Sequence, residues 1–194
     1  MKRKVYFIIK LKPRTLLIIL LVLLSIFPLS HIAKGDESKK EIPIVMYHSL
    51  LKDPSRHGKY TISPDQFEKD ILYLKENGYE TILIQDLINY TEGAELPDNP
   101  IILTFDDGYY DNYFYGYPLA KKHDIKFIIS PIGKKTDEYS ETGEENPNYS
   151  YLTWERLKEM SDSGYVEIQS HSYDMHQIDG EIKGISQIYA EDKT

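Results

Sequence analysis

Residues 101–108 read IILTFDDG, an apolar run that leads directly into two acids and a glycine. A continuous apolar run without alternation is typical of a strand buried on both faces. In parallel α/β folds, ligands gather at the carboxyl ends of such strands. The stretch therefore predicts a central parallel strand with chemically active residues at its end.

Working outward, the sequence alternates predicted strands and helices. Ser63-Pro64-Asp65-Gln66 has the form of a helix start with a capping box, and Asn77-Gly78 that of a helix end. This order predicts an α/β fold with a parallel sheet covered by helices. Predicted strands are 42–47, 79–84, 101–105, 126–130 and 166–169; predicted helices are 64–76, 86–90, 111–123 with a break at Pro118, and 154–160 after Thr153.

Two further local predictions concern polar residues. Residues 131–151 are acidic with scattered Gly, Pro and Asn, which predicts a long exposed loop. Asp111 and Asn112 stand at the start of a predicted helix, where they are most simply helix caps.

The first 35 residues differ from the rest of the chain. Six basic residues precede an uncharged apolar run from Leu16 to Phe27, which predicts an export signal. Both a cleaved signal peptide and a retained membrane anchor are open, since the apolar stretch reaches Ala33 and is only just long enough to span a bilayer. We expect 1–35 to be signal or anchor, 36–40 a linker, and 41–194 an extracytoplasmic domain, secreted or membrane-anchored.

Composition narrows the class of partner. The chain has no cysteine, so disulfides cannot staple the domain. After residue 35 there are 16 basic and 31 acidic residues, a net charge near −15, which argues against nucleic acid as a partner. Seventeen tyrosines suit stacking on sugar rings but equally suit core and rim positions.

Three groups of chemically active residues follow predicted strands. His48 follows the first strand, Asp106 and Asp107 the third, and the segment from His171 to His176 the fifth. Two histidines and a carboxylate on one rim are the ligands of a catalytic divalent metal that keeps open positions. A second carboxylate can act as general base, so the pattern indicates metal-assisted hydrolysis.

Residues 104–108, TFDDG, resemble the first motif of the polysaccharide deacetylases (carbohydrate esterase family 4), and the segment 171–176 resembles the second. The resemblance implies that Asp106 is the catalytic base and that Asp107, His171 and His176 bind one divalent metal, with Zn²⁺ expected and other ions left open. It also implies an incomplete (β/α) barrel of about five parallel strands. In the spacing of five residues between its two histidines, the sequence resembles the branch of the family that acts on poly-N-acetylglucosamine and similar polymers.

The resemblance further implies removal of N-acetyl groups from a cell-wall or biofilm polysaccharide, peptidoglycan or poly-N-acetylglucosamine. Family members continue with an Arg-Pro element, a Trp-bearing wall and a late histidine that protonates the amine. None of these follows His176, so we expect a truncated deacetylase domain, and we expect this chain alone to have little activity.

The sequence leaves open the roles of three residues and two alternative functions. His48, Tyr109 and Asp174 are candidates for substrate contacts or for orienting metal ligands. The first rival is a catalytically inactive metal- or polysaccharide-binding wall protein. The second is a glycoside hydrolase with paired carboxylates, which needs no histidine pair.

Overall fold

The computed structural model describes residues 13–14 and 41–175. The chain divides into two compact units, Met1–Glu41 and Ile42–Thr194, and every strand and helix below belongs to the second. Apart from residues 13–14, the predicted signal lies outside the described residues, as do the linker and His176. Within those residues, no helix combines the length and the apolarity needed to cross a membrane.

A parallel sheet forms the framework, as predicted. Its strands are β1 (Ile44–Tyr47), β4 (Glu80–Thr81), β5 (Pro100–Asp107), β6 (Phe127–Pro131) and β7 (Val166–Ile168), in the order β1-β5-β6-β7, with β4 also paired to β5. All of these pairings are parallel. A separate two-stranded parallel sheet of β2 (Ser49–Leu50) and β3 (Thr61–Ile62) had not been predicted. The strands match the predicted incomplete barrel.

Strand β5 is buried on both faces because its apolar side chains follow one another without alternation and so occupy both faces. Ile101, Leu103 and Phe105 belong to a large core cluster with helix residues such as Phe67 and Met160. Ile102 lies in a smaller cluster with Ile82 and Ile128. Successive side chains of a strand point to opposite faces, which explains why the sequence of β5 is apolar without a break.

Within residues 41–175, five α-helices accompany the strands: α1 (Pro64–Glu76), α2 (Ile84–Thr91), α3 (Tyr117–His123), α4 (Gly133–Thr142) and α5 (Trp154–Asp162). The predicted caps of α1 and α5 are present, because the hydroxyls of Ser63 and Thr153 accept from the backbone N–H groups of Gln66 and Arg156. The break predicted at Pro118 is absent, because helical conformation continues through residues 110–123 and only the type of helix changes. A π-helical turn, Asn112–Gly116, precedes α3, and Pro118 lies in the first turn of α3.

The prediction of a loop over residues 131–151 was wrong for its first half. Residues 133–142 form helix α4, which ends where Gly143 adopts a φ of 67°. The helix buries only Thr136, so the sequence carries almost no apolar stripe that would reveal it. Its amino end is held by contacts from distant parts of the chain, described below.

Candidate metal and catalytic site

Asp106 and Asp107 end strand β5, and both face one imidazole. The Nδ1 atom of His171 lies 3.9 Å from Oδ2 of Asp106, and its Nε2 atom lies 3.7 Å from Oδ1 of Asp107. Neighbouring side chains of a regular strand would point to opposite faces. Asp107 instead has a φ of 68°. This conformation turns the chain at the strand end, so that both carboxylates approach the imidazole ring of His171.

Gly108 makes this turn sterically feasible. It has a φ of 75°, and a Cβ atom there would lie 2.7 Å from Cβ and 2.9 Å from Cα of Pro131 on the neighbouring strand β6. The strand pair is in register up to this point, with Asp107 opposite Pro131. The glycine of the first motif is therefore required both for its backbone conformation and for its close approach to β6.

The second motif segment follows β7 and is fastened to the amino end of α4. The N–H groups of Gly133 and Lys134 donate to the carbonyl oxygens of Ser172 and Tyr173, each at 2.9 Å. The first N–H groups of a helix have no partner inside the helix, so the motif segment supplies acceptors for two of them. The motif and the unpredicted helix thus form one unit next to β6.

The arrangement of Asp107 and His171 fits a divalent metal. Zinc ligands lie about 2.0–2.2 Å from the ion, so two donors in a tetrahedral site are about 3.4 Å apart. The 3.7 Å between Nε2 of His171 and Oδ1 of Asp107 is close to that separation. Among residues 13–14 and 41–175, no group of three or more potential ligands gathers at one point, and the third predicted ligand, His176, is not one of those residues.

The other three predicted site residues lie around the carboxylates. Asp174 forms an ion pair with Lys134, 2.8 Å apart. Tyr109 stacks on Tyr151, with ring centroids 4.8 Å apart, and burial followed by the contact with Tyr151 raises the pKa of Tyr109. His48 packs against Tyr60, with ring centroids 4.7 Å apart.

Asp107 lies where two cavities meet, and Tyr109 and Tyr151 line both. The larger, about 620 Å³, also contains His48 and Asp111. The smaller, about 360 Å³, also contains Lys134 and Asp174. A third cavity of about 690 Å³ is lined by residues preceding β4, β6 and β7, at the opposite end of the strands from the carboxylates.

The prediction that Asp111 and Asn112 are helix caps was wrong. Asp111 is 3% exposed, and its carboxylate accepts from Ser49 Oγ at 2.6 Å and from Asn112 Nδ2 at 2.7 Å. The Asn112 amide also donates to the carbonyl of His48, at 2.8 Å. Burial raises the pKa of Asp111 to about 7, although these donors oppose the shift.

This group ties the turn after β5 to the corner that carries His48. Sequence reasoning missed it because the partners are about 62 residues apart along the chain. The only available signal was an Asp-Asn pair shortly after the motif, and that pair is equally typical of a helix start.

Two carboxylates and a histidine lie together on the carboxyl edge of a parallel sheet, beside open cavities, and active sites of parallel α/β enzymes lie at this edge. The sequence model for polysaccharide deacetylases matches residues 93–191, half of the chain. The chain belongs to the polysaccharide deacetylase family.

Individual relatives agree with this assignment. The Bacillus subtilis protein YxkH, named a polysaccharide deacetylase, is 32% identical over 145 residues, covering 74% of this chain and 47% of YxkH. The poly-β-1,6-N-acetyl-D-glucosamine N-deacetylase of Staphylococcus aureus is 28% identical over 197 residues, covering 87% of this chain and 65% of the relative.

Solved structures give the same result. A de-N-acetylase from Aggregatibacter actinomycetemcomitans superposes with a TM-score of 0.61 at 29% identity, covering 70% of this chain and 56% of that protein. The chain therefore spans between about half and two thirds of the length of these three relatives.

Proposed function

We propose that this chain carries the site of a metal-dependent deacetylase that removes N-acetyl groups from a polymer of N-acetylglucosamine, in the cell wall or in a biofilm. One observation carries the proposal: each carboxylate of the first motif lies within 4 Å of one ring nitrogen of His171, Asp106 near Nδ1 and Asp107 near Nε2. The names of the Staphylococcus and Escherichia coli relatives, poly-β-1,6-N-acetyl-D-glucosamine N-deacetylases, support this choice of polymer.

In this proposal Asp107, His171 and His176 hold one divalent ion, for which Zn²⁺ suits the mixed nitrogen and oxygen donors. When bound, such an ion supplies Lewis acidity for the amide carbonyl and for water. Asp106 is the general base that takes the proton of the attacking water. It suits this role because it lies beside the metal ligands without being needed as one of them.

The leaving amine needs a proton, and His48 is the residue that we propose to supply it. It lies in the same 620 Å³ cavity as Asp107, and histidine is the commonest proton-transfer residue in enzymes. The expectation of poor activity rested partly on the lack of a proton donor after His176. In this proposal His48 is a proton donor from the other end of the sequence, so that reason for expecting poor activity of the chain no longer applies.

We also propose that the domain works outside the cytoplasm, delivered by residues 1–35 as a signal peptide or membrane anchor. The basic flank and the apolar run support this. Secretion would bring the enzyme to peptidoglycan or to poly-N-acetylglucosamine. Comparing processed and unprocessed masses of the exported protein decides between cleavage and anchoring.

The central test separates the base from the metal ligand. Acetate release from poly-N-acetylglucosamine and from chitin oligomers is measured with zinc added, and zinc affinity is measured by calorimetry. Asp106→Asn should keep zinc affinity and lose about 10²- to 10⁴-fold in rate. Asp107→Asn, His171→Ala and His176→Ala should each weaken zinc binding sharply.

The same assay addresses the rival functions. Zinc binding without acetate release by the parent chain would favour the inactive binding protein. Full activity in the presence of a chelator would favour the glycoside hydrolase, which uses carboxylates without a metal. Equal loss of zinc in Asp106→Asn and Asp107→Asn would show that the two roles are assigned wrongly.

A further inference from the structure

An open cavity of about 460 Å³ lies along helix α4, outside the site described above. Residues of α4 form most of its lining, and Trp154 and Tyr173 complete it. Neither carboxylate of the first motif is among the described residues that line this cavity, and nor is His171. Lys134 lines both this cavity and the 360 Å³ cavity beside the carboxylates, so the two cavities are neighbours along the helix.

Both aromatic residues of the α4 cavity are exposed. Trp154 is the one tryptophan of the chain; it is 50% exposed, and Tyr173 is 65% exposed. A single exposed aromatic residue is ordinary on a protein surface. Two that line one cavity form an aromatic surface of the kind found in ligand-binding sites.

Asp137 holds both aromatic side chains in place. One of its carboxylate oxygens accepts from Trp154 Nε1 at 2.7 Å, and the other accepts from the Tyr173 hydroxyl at 3.2 Å. The backbone N–H of Trp154 also donates to Ser140 Oγ at 2.9 Å. Tyr173 lies against Gly133, where an added Cβ would be 2.9 Å from the tyrosine ring. The aromatic surface is therefore ordered before a ligand binds, which lowers the entropic cost of binding.

The charges that line the α4 cavity favour a cation. Three carboxylates and one lysine belong to the lining. The lysine, Lys134, is paired with the second motif segment, and Glu138 is paired with a lysine of its own helix. Among the described residues, no ion pair involves Asp137 or Glu141. The faces of tryptophan and tyrosine rings also attract cations, so the aromatic and acidic residues select for the same sign of charge.

We infer that the α4 cavity binds the protonated amine of glucosamine units, which are the product of the proposed deacetylation. The inference rests on the proposed function and deepens it. An amino sugar offers a ring face to an aromatic side chain and an ammonium group to a carboxylate. An N-acetylated unit lacks the charge, and a lysine side chain lacks the sugar ring.

The neighbourhood of the two cavities gives this binding a consequence. A polymer that is held at the α4 cavity by units already deacetylated stays close to the carboxylates that act on its other units. Partly deacetylated polymer would therefore be bound in preference to fully acetylated polymer.

The test measures binding without turnover, in the full chain carrying Asp106→Asn with zinc present. The chain is titrated with the β-1,6-linked glucosamine trimer, with the N-acetylated form of that trimer, and with trilysine. Because the chain has one tryptophan, its fluorescence reports on the α4 cavity. The glucosamine trimer should change this fluorescence and should bind about fivefold more tightly than either of the other two ligands, the scale of a cation–π contact.

Substitutions locate the binding by calorimetry. Trp154→Ala should weaken binding of the glucosamine trimer about two- to fivefold, and Trp154→Phe, which keeps a ring, should bind it within about twofold of the parent. Glu141→Gln keeps the size of the side chain and removes one charge. It should weaken binding about twofold at low salt and have no effect in 1 M salt. Tyr73→Ala is the matched control, because Tyr73 is 63% exposed on α1 and does not line the α4 cavity.

Two results would overturn the inference. One is equal affinity for the glucosamine trimer in the parent, Trp154→Ala, Glu141→Gln and Tyr73→Ala. The other is binding of trilysine or of the N-acetylated trimer that is as tight as that of the glucosamine trimer.

Acetate release by the chain with Asp106 intact is measured separately. Trp154-dependent binding of the glucosamine trimer without acetate release would support the amine-binding site and contradict the proposed function. Acetate release together with trimer binding that is insensitive to Trp154 would support the proposed function and contradict the amine-binding site.

Discussion

The two motif segments of the site are built in different ways. The first, Asp106 to Gly108, ends a strand that is paired in parallel with β1, β4 and β6, and backbone conformation directs its side chains. The second, residues 171–175, lies on the amino end of a polar helix and is held by hydrogen bonds and an ion pair. Substitutions should therefore lower the free energy of unfolding strongly in the first segment and only weakly in the second.

The largest expected effect comes from Gly108→Ala. The added Cβ would lie 2.7 Å from Pro131 Cβ at a φ of 75°, so backbone strain of about 1–2 kcal/mol adds to a steric conflict of about 1–3 kcal/mol. We expect the free energy of unfolding, measured with urea, to fall by about 2–5 kcal/mol, and zinc binding to weaken with it.

Gly143→Ala is the matched control for Gly108→Ala. Gly143 has a φ of 67° but no atom within 4 Å of the added Cβ. Only the strain of about 1–2 kcal/mol remains there. Equal losses in the two variants would show that the close approach to Pro131 contributes nothing.

The next effect concerns Asp111, which joins the first segment to the corner that carries His48. Burial raises its pKa to about 7, against about 3.9 for an ordinary aspartate. Between these values the folded state binds more protons than the unfolded state. The contribution of Asp111 to the free energy of unfolding is therefore complete below about pH 4. It falls by up to about 1.4 kcal/mol per pH unit as the pH rises from there towards 7, and it no longer changes above pH 7.

Asp111→Asn should remove this dependence. Urea unfolding of parent and variant at pH 5, 6 and 7.5 should show the stability difference moving in favour of the variant as the pH rises. Parallel pH profiles for the two proteins would contradict the shifted pKa of Asp111.

The same comparison explains what the sequence could reveal. The unbroken apolar pattern of β5 and the caps at Ser63 and Thr153 are local signals, and both were confirmed. Helix α4 was missed because its stability comes from Ser172, Tyr173 and other distant partners. Likewise, no sequence signal marks the positive φ of Asp107, so the way in which both carboxylates reach His171 is known only from the structure.

A smaller effect is expected where α4 supports the second segment. Asp137 accepts from the Tyr173 hydroxyl at 3.2 Å and from Trp154 Nε1 at 2.7 Å. Asp137→Ala should cost up to about 1 kcal/mol of stability, the net value of a typical hydrogen bond, and should weaken zinc binding a few-fold by loosening the segment that carries His171. Glu141→Ala, which changes an exposed residue of the same helix, should leave zinc affinity, measured by calorimetry, unchanged.

The smallest effect is expected from Lys134→Gln, which breaks the ion pair with Asp174. Both side chains are more than a third exposed, and exposed pairs contribute little to stability, so the urea midpoint should not move measurably. Lys134 and Lys135 line the same cavity as Asp107, and removing either positive charge should slightly tighten zinc binding at low salt, an effect that 1 M salt should abolish. Lys135→Gln is the control, because Lys135 pairs with Glu138 of its own helix instead of Asp174. Zinc binding that is weaker in Lys134→Gln but not in Lys135→Gln, at either salt concentration, would contradict this expectation. It would mean that the ion pair between Lys134 and Asp174 holds the second segment in place, and that the second segment is as sensitive to substitution as the first.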